Sequence, residues 1–405
     1  MRIAVCVPPA AADCYGHHTR YAEKIAELGA GRSIAVEILR YADPDFLARL
    51  FTNLQDEECI VHFHCYLYDL KIQATTVAPD VRHALDRCRA RTMATISDHP
   101  FAGFMQAMVR DAHPDTRFIV IDNTFPDEMR YMNPALGEAE FVHLPFVAPV
   151  SFDEDCVVDF DRRAYDLVLP LFIADTSSMS IGSMLGPGVD AWFVRVVTAT
   201  YEIARTDLSR NPFHILDACM RAEIGTTLDD LRKVQPESVP ALLNVLSRLD
   251  GLVRHERRAA VIGSLLRSVG DLRVGVLGHP VPSLQVDTKV EFLGGQNTRA
   301  TAALMADSRA VLNCSPSYPT NVHERITVGM LYGSCVITDV NPYIAETFSD
   351  GDFIAYAPGS SMTLEDVFAA HDTRAIAHRS GMRARTDVPF SWPAHFDALL
   401  QIAQA

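Results

Sequence analysis

Three ionisable residues stand side by side in the stretch SPSYPTNVHERITVGMLYGSCVITDVNP, residues 315–342: His323, Glu324 and Arg325. The buried-strand run RAVLNCS and the rigid loop PSYPT before them predict a helix starting near Thr320 or Asn321. Asn321 as N-cap with Glu324 three residues on forms a capping box, which accounts for Glu324. It does not account for His323 or Arg325. The first turn of a helix offers free backbone N–H groups and the positive end of the dipole, a setting that favours an anion and disfavours a bare arginine. Arginine fits there when a phosphate or a carboxylate sits opposite. The pattern reads as a capped helix or as an anion site.

Other residues carry chemistry at strand ends. TISDHPF places Asp98 and His99 before the turn at Pro100, a position that suits a general base, although Asp98 also reads as the cap of the next helix. In GHHT, Gly16 allows close approach and His17 and His18 follow. Gly278 and His279 in LGHP read equally as a turn and as a ligand loop. His62 and His64 in HFHC share one strand face without further ligands, so a packed pair is expected and not a metal site. The run RHERR, Arg254 to Arg258, reads as a solvated helix face. The DPD at Asp43 to Asp45 reads as a helix cap.

These residues need a scaffold that gathers strand ends. RIAVCVP, IVHFHCY, RTMATISD, RFIVIDN and the weaker EFVHLPF are predicted strands, with a helix over GHHTRYAEKIAELG stopped at Gly29. The rhythm restarts with YDLVLPLFIAD, turns helical from about Gly188 to Ser268, and continues through RVGVLGHP, VEFLGG, AVLNCSP, CVITDV and FIAYAP. Alternating β and α predicts two doubly wound, Rossmann-like α/β domains, 1–160 and 161–388, with an acidic linker around Val150 to Arg163. The tail, 389–405, is one amphipathic helix expected to pack back on the first domain. Such folds bind ligands at the carboxyl ends of their strands, in the cleft between domains. That brings Gly16 to His18, Asp98 to Pro100, Asp122 to Thr124, Gly278 to Pro280 and Ser315 to Arg325 into play.

Composition narrows the partners. The chain has 405 residues, 48% of them hydrophobic, and a net charge of -15, which argues against a nucleic-acid surface. Nine scattered cysteines with no CxxC pair suggest reduced thiols. No apolar run approaches a membrane span and the start does not fit a signal peptide, so a cytoplasmic protein is expected.

The loop, short helix, Gly333, buried strand and the following NPYIAETFSDGDFIAYAP resemble the donor-binding end of GT-B glycosyltransferases. Within the glycosyl transferases group 1 superfamily, the chain resembles the CgeB-like bacterial enzymes. Arg325, eight residues before Gly333, stands where that group carries an arginine, and Asp339, Glu346, Phe348, Gly351 and Tyr356 match the downstream spacing. The glutamate that usually binds the ribose falls on Val328, with Glu324 one turn earlier, and Thr320 stands at the upstream position of the paired-glutamate signature. The resemblance covers about Tyr165 to Ala405; residues 1–150 match in architecture alone.

The resemblance implies a GT-B fold, an acceptor-side first domain facing a donor-side second domain across a cleft, and transfer of a sugar from a nucleotide-sugar to an acceptor. The nucleotide-sugar is then the co-substrate, with no resident cofactor or metal. The donor would be held by Gly278, His279, Ser315, Tyr318, Asn321, His323, Glu324 and Arg325, with Ser177 and Ser178 as weaker diphosphate ligands. Tyr318 reads as a stacking residue or as a packed loop aromatic. Asp98 or His99 would be the base, with His17 as rival because many inverting GT-B enzymes carry a histidine in that loop. The alternatives are a nucleotide-sugar epimerase on the same fold and a non-catalytic binding protein.

Overall fold

The computed structural model describes residues 1–8, 16–64, 85–145, 152–176, 179–315, 317–386 and 391–404. The chain divides into two compact units: Met1–Val150 with Ser391–Ala405, and Ser151–Phe390.

The first unit is built on six parallel strands: β1 (Arg2–Val7), β2 (Ala35–Arg40), β3 (Cys59–His64), β4 (Arg91–Ile96), β5 (Arg117–Val120) and β6 (Phe141–His143), in the order β2-β1-β3-β4-β5-β6. Central strands β1 and β3 are buried on both faces, which is why β1 reads as an apolar run after Arg2 and why His62 and His64 of β3 are enclosed. Among the described residues, helices α1 (His17–Ala30), α2 (Phe46–Leu54), α3 (Gly103–Arg110) and α4 (Phe125–Met132) connect β1 to β2, β2 to β3, β4 to β5 and β5 to β6. On one face Ile3, Val5 and Val7 meet Tyr21, Ala22 and Ile25 of α1 and Phe396, Leu399 and Ile402 of the C-terminal helix Trp392–Gln404. The amphipathic tail is thus part of this unit's core. Strand β2 is absent from the sequence reading because it lies at the sheet edge and keeps most of its residues partly open.

The second unit has β7 (Tyr165–Leu169), β8 (Val274–Val276), β9 (Glu291–Phe292), β10 (Ser308–Asn313), β11 (Cys335–Asp339) and β12 (Ile354–Tyr356), all parallel, in the order β12-β11-β10-β7-β8-β9. Between β7 and β8 run α5 (Ile181–Leu185), α6 (Ala191–Ala204), α7 (Pro212–Ile224), α8 (Leu228–Val234) and the long α9 (Val239–Leu265). Then follow α10 (Thr298–Ala306), α11 (Glu324–Leu331), α12 (Pro342–Thr347), α13 (Leu364–Ala370) and α14 (Thr373–Thr386). Alternation along β10 shows both faces covered. Ala310 and Leu312 face Val261, Ile262 and Leu265 of α9, whereas Val311 faces Met305 of α10 and Val328 of α11. The acidic stretch read as a linker is packed in this unit: Phe152 and Cys156 lie on the Val311 cluster, and the Asp153 N–H donates to Tyr332 Oη at 3.0 Å.

Among the described residues, no helix is long and apolar enough to cross a membrane.

Candidate functional site

In the second sheet the chain leaves β7 for β8 and β9 on one side, then returns to β10 on the other. The order reverses between β7 and β10, and the crevice outside their carboxyl ends is where open α/β sheets bind ligands. The residues reaching that crevice come from the segment after β7, the loop after β10, the start of α11 and the middle of α9.

Helix α9 supplies arginines. Asp250, Arg254, Arg257 and Val261 continue, at three- and four-residue steps, the inward stripe begun by Leu243 and Leu246. Arg257 is buried, and Arg258 is half-buried. The run expected to be a solvated face therefore turns inward. Arg257 Nη2 donates to Ser317 Oγ at 3.0 Å and Arg258 Nη1 to the Phe172 carbonyl at 2.8 Å. Arg254 pairs with Asp250 at 2.6 Å and lies over the Tyr318 ring at 5.4 Å. Arg257 Nε and Nη1 and Arg258 Nε are buried and have no hydrogen-bond partner among the described residues.

Arg163 shows what a structural arginine in this unit looks like. Its Nε donates to Val158 O, and its Nη1 to Ser308 O, Gly333 O and Ser334 Oγ, at 2.7–3.1 Å. A buried donor left unmade costs about 1–3 kcal/mol, and more on a charged group. Arg163 avoids that cost and Arg257 does not.

Arg325 joins the cluster from α11. Its Nη1 donates to the Pro170 carbonyl at 3.0 Å. Burial, with the charge of Arg258 beside it, pushes its pKa from the ordinary 12.5 down to about 9, so it stays charged at pH 7. Acidic groups acting on it are Cys314, Asp339 and Tyr356, and burial raises the pKa of both the Cys314 thiol and the Tyr356 phenol. That leaves Asp339, whose Oδ1 accepts the Ser315 N–H at 2.8 Å.

The start of α11 differs from the sequence reading. The N-cap is His323, not Asn321, and its Nδ1 accepts the Arg325 N–H at 3.2 Å and Arg325 Nε at 3.1 Å. Accepting at Nδ1 leaves the proton of the neutral ring on Nε2. Asn321 is too early to cap because the loop is still held by the N-cap residue of α12: Asn341 Nδ2 donates to the carbonyls of Asn321 (2.7 Å) and Tyr318 (2.6 Å). Glu324 is the first helical residue and is buried. Val328, one turn on, is fully buried among Ala302, Met305 and Tyr332, so an apolar residue there is a core requirement. Ser315 and Tyr318 are buried as well, Tyr318 packing beneath the Arg254 guanidinium. Gly278 and the exposed His279 follow β8. Ser177 and Ser178 lie outside the described residues.

In the first unit the candidates stand apart. His17 opens α1 after β1, and Asp98 and His99 follow β4, with β3 between those strands. Strand spacing alone separates them by about 10 Å. The half-buried Asp98 accepts the His99 N–H at 2.8 Å. His99 is fully enclosed, stacked on Phe101 with 4.5 Å between ring centroids and placed 3.4 Å from Glu128 through Nδ1. Asp122 caps the turn before α4 through Thr124. His62 and His64 are a packed pair: His62 Nε2 bonds Thr95 Oγ1 at 2.8 Å, and His64 stacks on Tyr21 at 3.8 Å. Among the described residues no three His, Cys, Asp or Glu side chains are grouped to hold a metal ion.

No curated protein matches the chain in sequence. Among solved structures, T4 phage BGT in complex with UDP-glucose is 10% identical over 100% of both chains, with a TM-score of 0.50. Anabaena HepE in complex with UDP-glucose is 12% identical over 100% of this chain and 98% of that one, with a TM-score of 0.47. Sucrose-phosphate synthase from Thermosynechococcus elongatus is 13% identical over 100% and 98%, with a TM-score of 0.46. At such identities the likeness is one of fold, the GT-B fold of two Rossmann-like α/β units. Residues 253–401, which include the arginines of α9, Arg325 and the stretch from Cys314 to Tyr356, match the model of the Glycosyl transferase-like family.

Proposed function

We propose that the protein transfers a sugar from a nucleotide-sugar to an acceptor hydroxyl, and that the crevice between β7 and β10 holds the donor's diphosphate. The observation that carries this reading is Arg257, a buried guanidinium whose Nε and Nη1 have no partner among the described residues, beside Arg258 and Arg325. An oxygen anion placed there would satisfy those donors. As the bond between the anomeric carbon and the β-phosphate oxygen breaks, charge grows on the diphosphate, and fixed guanidiniums offset it without reorganising. Arginines in this role replace a divalent cation, so the reading calls for the nucleotide-sugar as co-substrate and no resident metal. The positive end of the α11 dipole and the Nε2–H of His323 act on the same side. Glu324, one turn before Val328, takes the ribose hydroxyls.

On the acceptor side, Asp98 or His17 accepts the proton of the attacking hydroxyl, and His99, enclosed against Glu128, positions Asp98. Gly278, His279 and Ser315 line the donor's path, with Tyr318 supporting Arg254.

Calorimetric titration with UDP, GDP and CDP tests the reading. Hydrogen bonds to charged groups contribute about 1.5–3 kcal/mol, so Arg257→Met should weaken the preferred diphosphate roughly 10- to 150-fold. The free protein should melt no lower, because the substitution removes an unmatched buried charge. Arg163→Met should do the reverse, destabilising the fold and sparing affinity. Unchanged nucleotide affinity in Arg257→Met would overturn the proposal.

A further inference from the structure

Phe172 is 61% exposed in a segment that is otherwise fixed. The chain after β7 alternates: Leu171 and Ile173 are buried at 1% and 6%, and Phe172 between them points out. Arg325 Nη1 holds the Pro170 carbonyl at 3.0 Å, Arg258 Nη1 holds the Phe172 carbonyl at 2.8 Å, and the Ala174 N–H donates to His255 Nδ1 at 3.2 Å. The ring is thus presented to solvent by the same arginines that line the crevice.

A flat floor lies beside it. Gly278 and Gly294 exchange both backbone hydrogen bonds, at 2.8 and 3.1 Å, with φ of +97° and +67°, a conformation open to glycine and strained for other residues. A Cβ on Gly278 would sit 3.6 Å from Phe172 Cδ2, so bare backbone abuts the ring edge. Strand order gives the direction of a ligand anchored at the arginines. Toward β11 and β12 the strand ends are filled by buried Asp339, Asn341 and Tyr356. Toward β8 and β9 they carry the glycine pair and the exposed His279.

We infer that Phe172 is the stacking face for the planar base of the nucleotide donor, which lies over the Gly278–Gly294 strip. The inference rests on the nucleotide-sugar reading and deepens it. Stacking on an aromatic tolerates every base, so Phe172 supplies affinity and leaves the choice of base to edge contacts.

Calorimetry on the full chain with UDP, GDP, CDP and inorganic pyrophosphate tests it. Phe172→Ala should weaken the preferred nucleoside diphosphate by about 5- to 150-fold and leave pyrophosphate affinity unchanged. Phe172→Tyr should restore the loss. Thermal melts should not move, because the ring is exposed. Equal losses for nucleotide and pyrophosphate, or no loss for either, would overturn the stacking role alone. A wild-type chain that binds none of the nucleotides would overturn the donor site and this inference with it.

Discussion

The two sheets each have a point where strand order reverses, between β7 and β10 in one and between β1 and β3 in the other, and the two are furnished differently. The second unit places guanidiniums there. The first places His18, His64 and Tyr21, backed by His62 and by His395 of the C-terminal helix, whose Nε2 meets Tyr21 Oη at 3.2 Å. Burial acts on both sets in the same sense. It brings Arg325 down to about 9, His62 to about 3 and His395 to about 4, and holds His64 well below its usual value. The outcomes are opposite because the starting points differ. An arginine brought down to about 9 is still a cation at pH 7, whereas a histidine brought down to about 3 is neutral. The same physics leaves a charged anchor in one unit and an uncharged aromatic floor in the other.

If the division extends to function, the two ends should separate in kinetics, and the largest effect is on rate. Asp98→Asn or His17→Ala should cut transfer by about 10²–10⁴-fold if that residue is the base, with nucleotide affinity held. Loss of affinity and rate together would break the comparison, because it would tie a first-unit residue to the donor.

Acid should act most strongly on the histidine end, where three such groups gather, whereas the second unit has His255 brought down to about 4. The unfolded chain binds protons at about pH 6.5, above the folded values of His62, His64 and His395. Stability is therefore full above that pH and is lost as pH falls toward 4, by roughly 3 kcal/mol for a histidine displaced to about 4. The groups facing these histidines are His17, His18 and Tyr21. Melting curves from pH 8 to 4 should show the first unit failing first, and His395→Phe should flatten the slope. A protein equally stable at pH 4 and 7 would contradict the assigned neutral histidines.

The smallest effect isolates one bond. Tyr21→Phe removes the hydroxyl that meets His395 and should cost about 1 kcal/mol. Hydrogen exchange should quicken in the C-terminal helix, and nucleotide affinity should not change. Exchange quickening in the second unit instead would mean that the two ends are not independent.

Much of this was readable in the sequence where burial is two-sided. Strands β1, β3, β7, β10 and β11 stand out because both faces are covered, so the apolar run is continuous. Edge strand β2 alternates poorly and escapes notice. Arg325 and its neighbours are visible as a charge cluster at a helix start, but its cap is not, because His323 caps only once Asn341, at the start of α12, has pinned the loop. RHERR misleads because a charge run is usually solvated. Its signal lay in the spacing: Arg254 and Arg257 occupy the inward stripe of α9. Phe172 carries no sequence signal, since its exposure depends on Arg258 and Arg325 holding the chain on either side.

One feature of the first unit bears on how the protein is made. Its core is unfinished without Phe396, Leu399 and Ile402, which are translated after the whole of the second unit. The second unit is continuous from Ser151 to Phe390, so it can close while the first still waits on the ribosome. Order of synthesis and order of completion are thereby inverted. The nascent first sheet carries an uncovered apolar face beside Ile3, Val5 and Val7 for the time it takes to translate about 240 residues, roughly 12–48 s at about 5–20 residues per second. That face is a natural station for a holdase chaperone, and a chain truncated before Trp392 should stay bound to it.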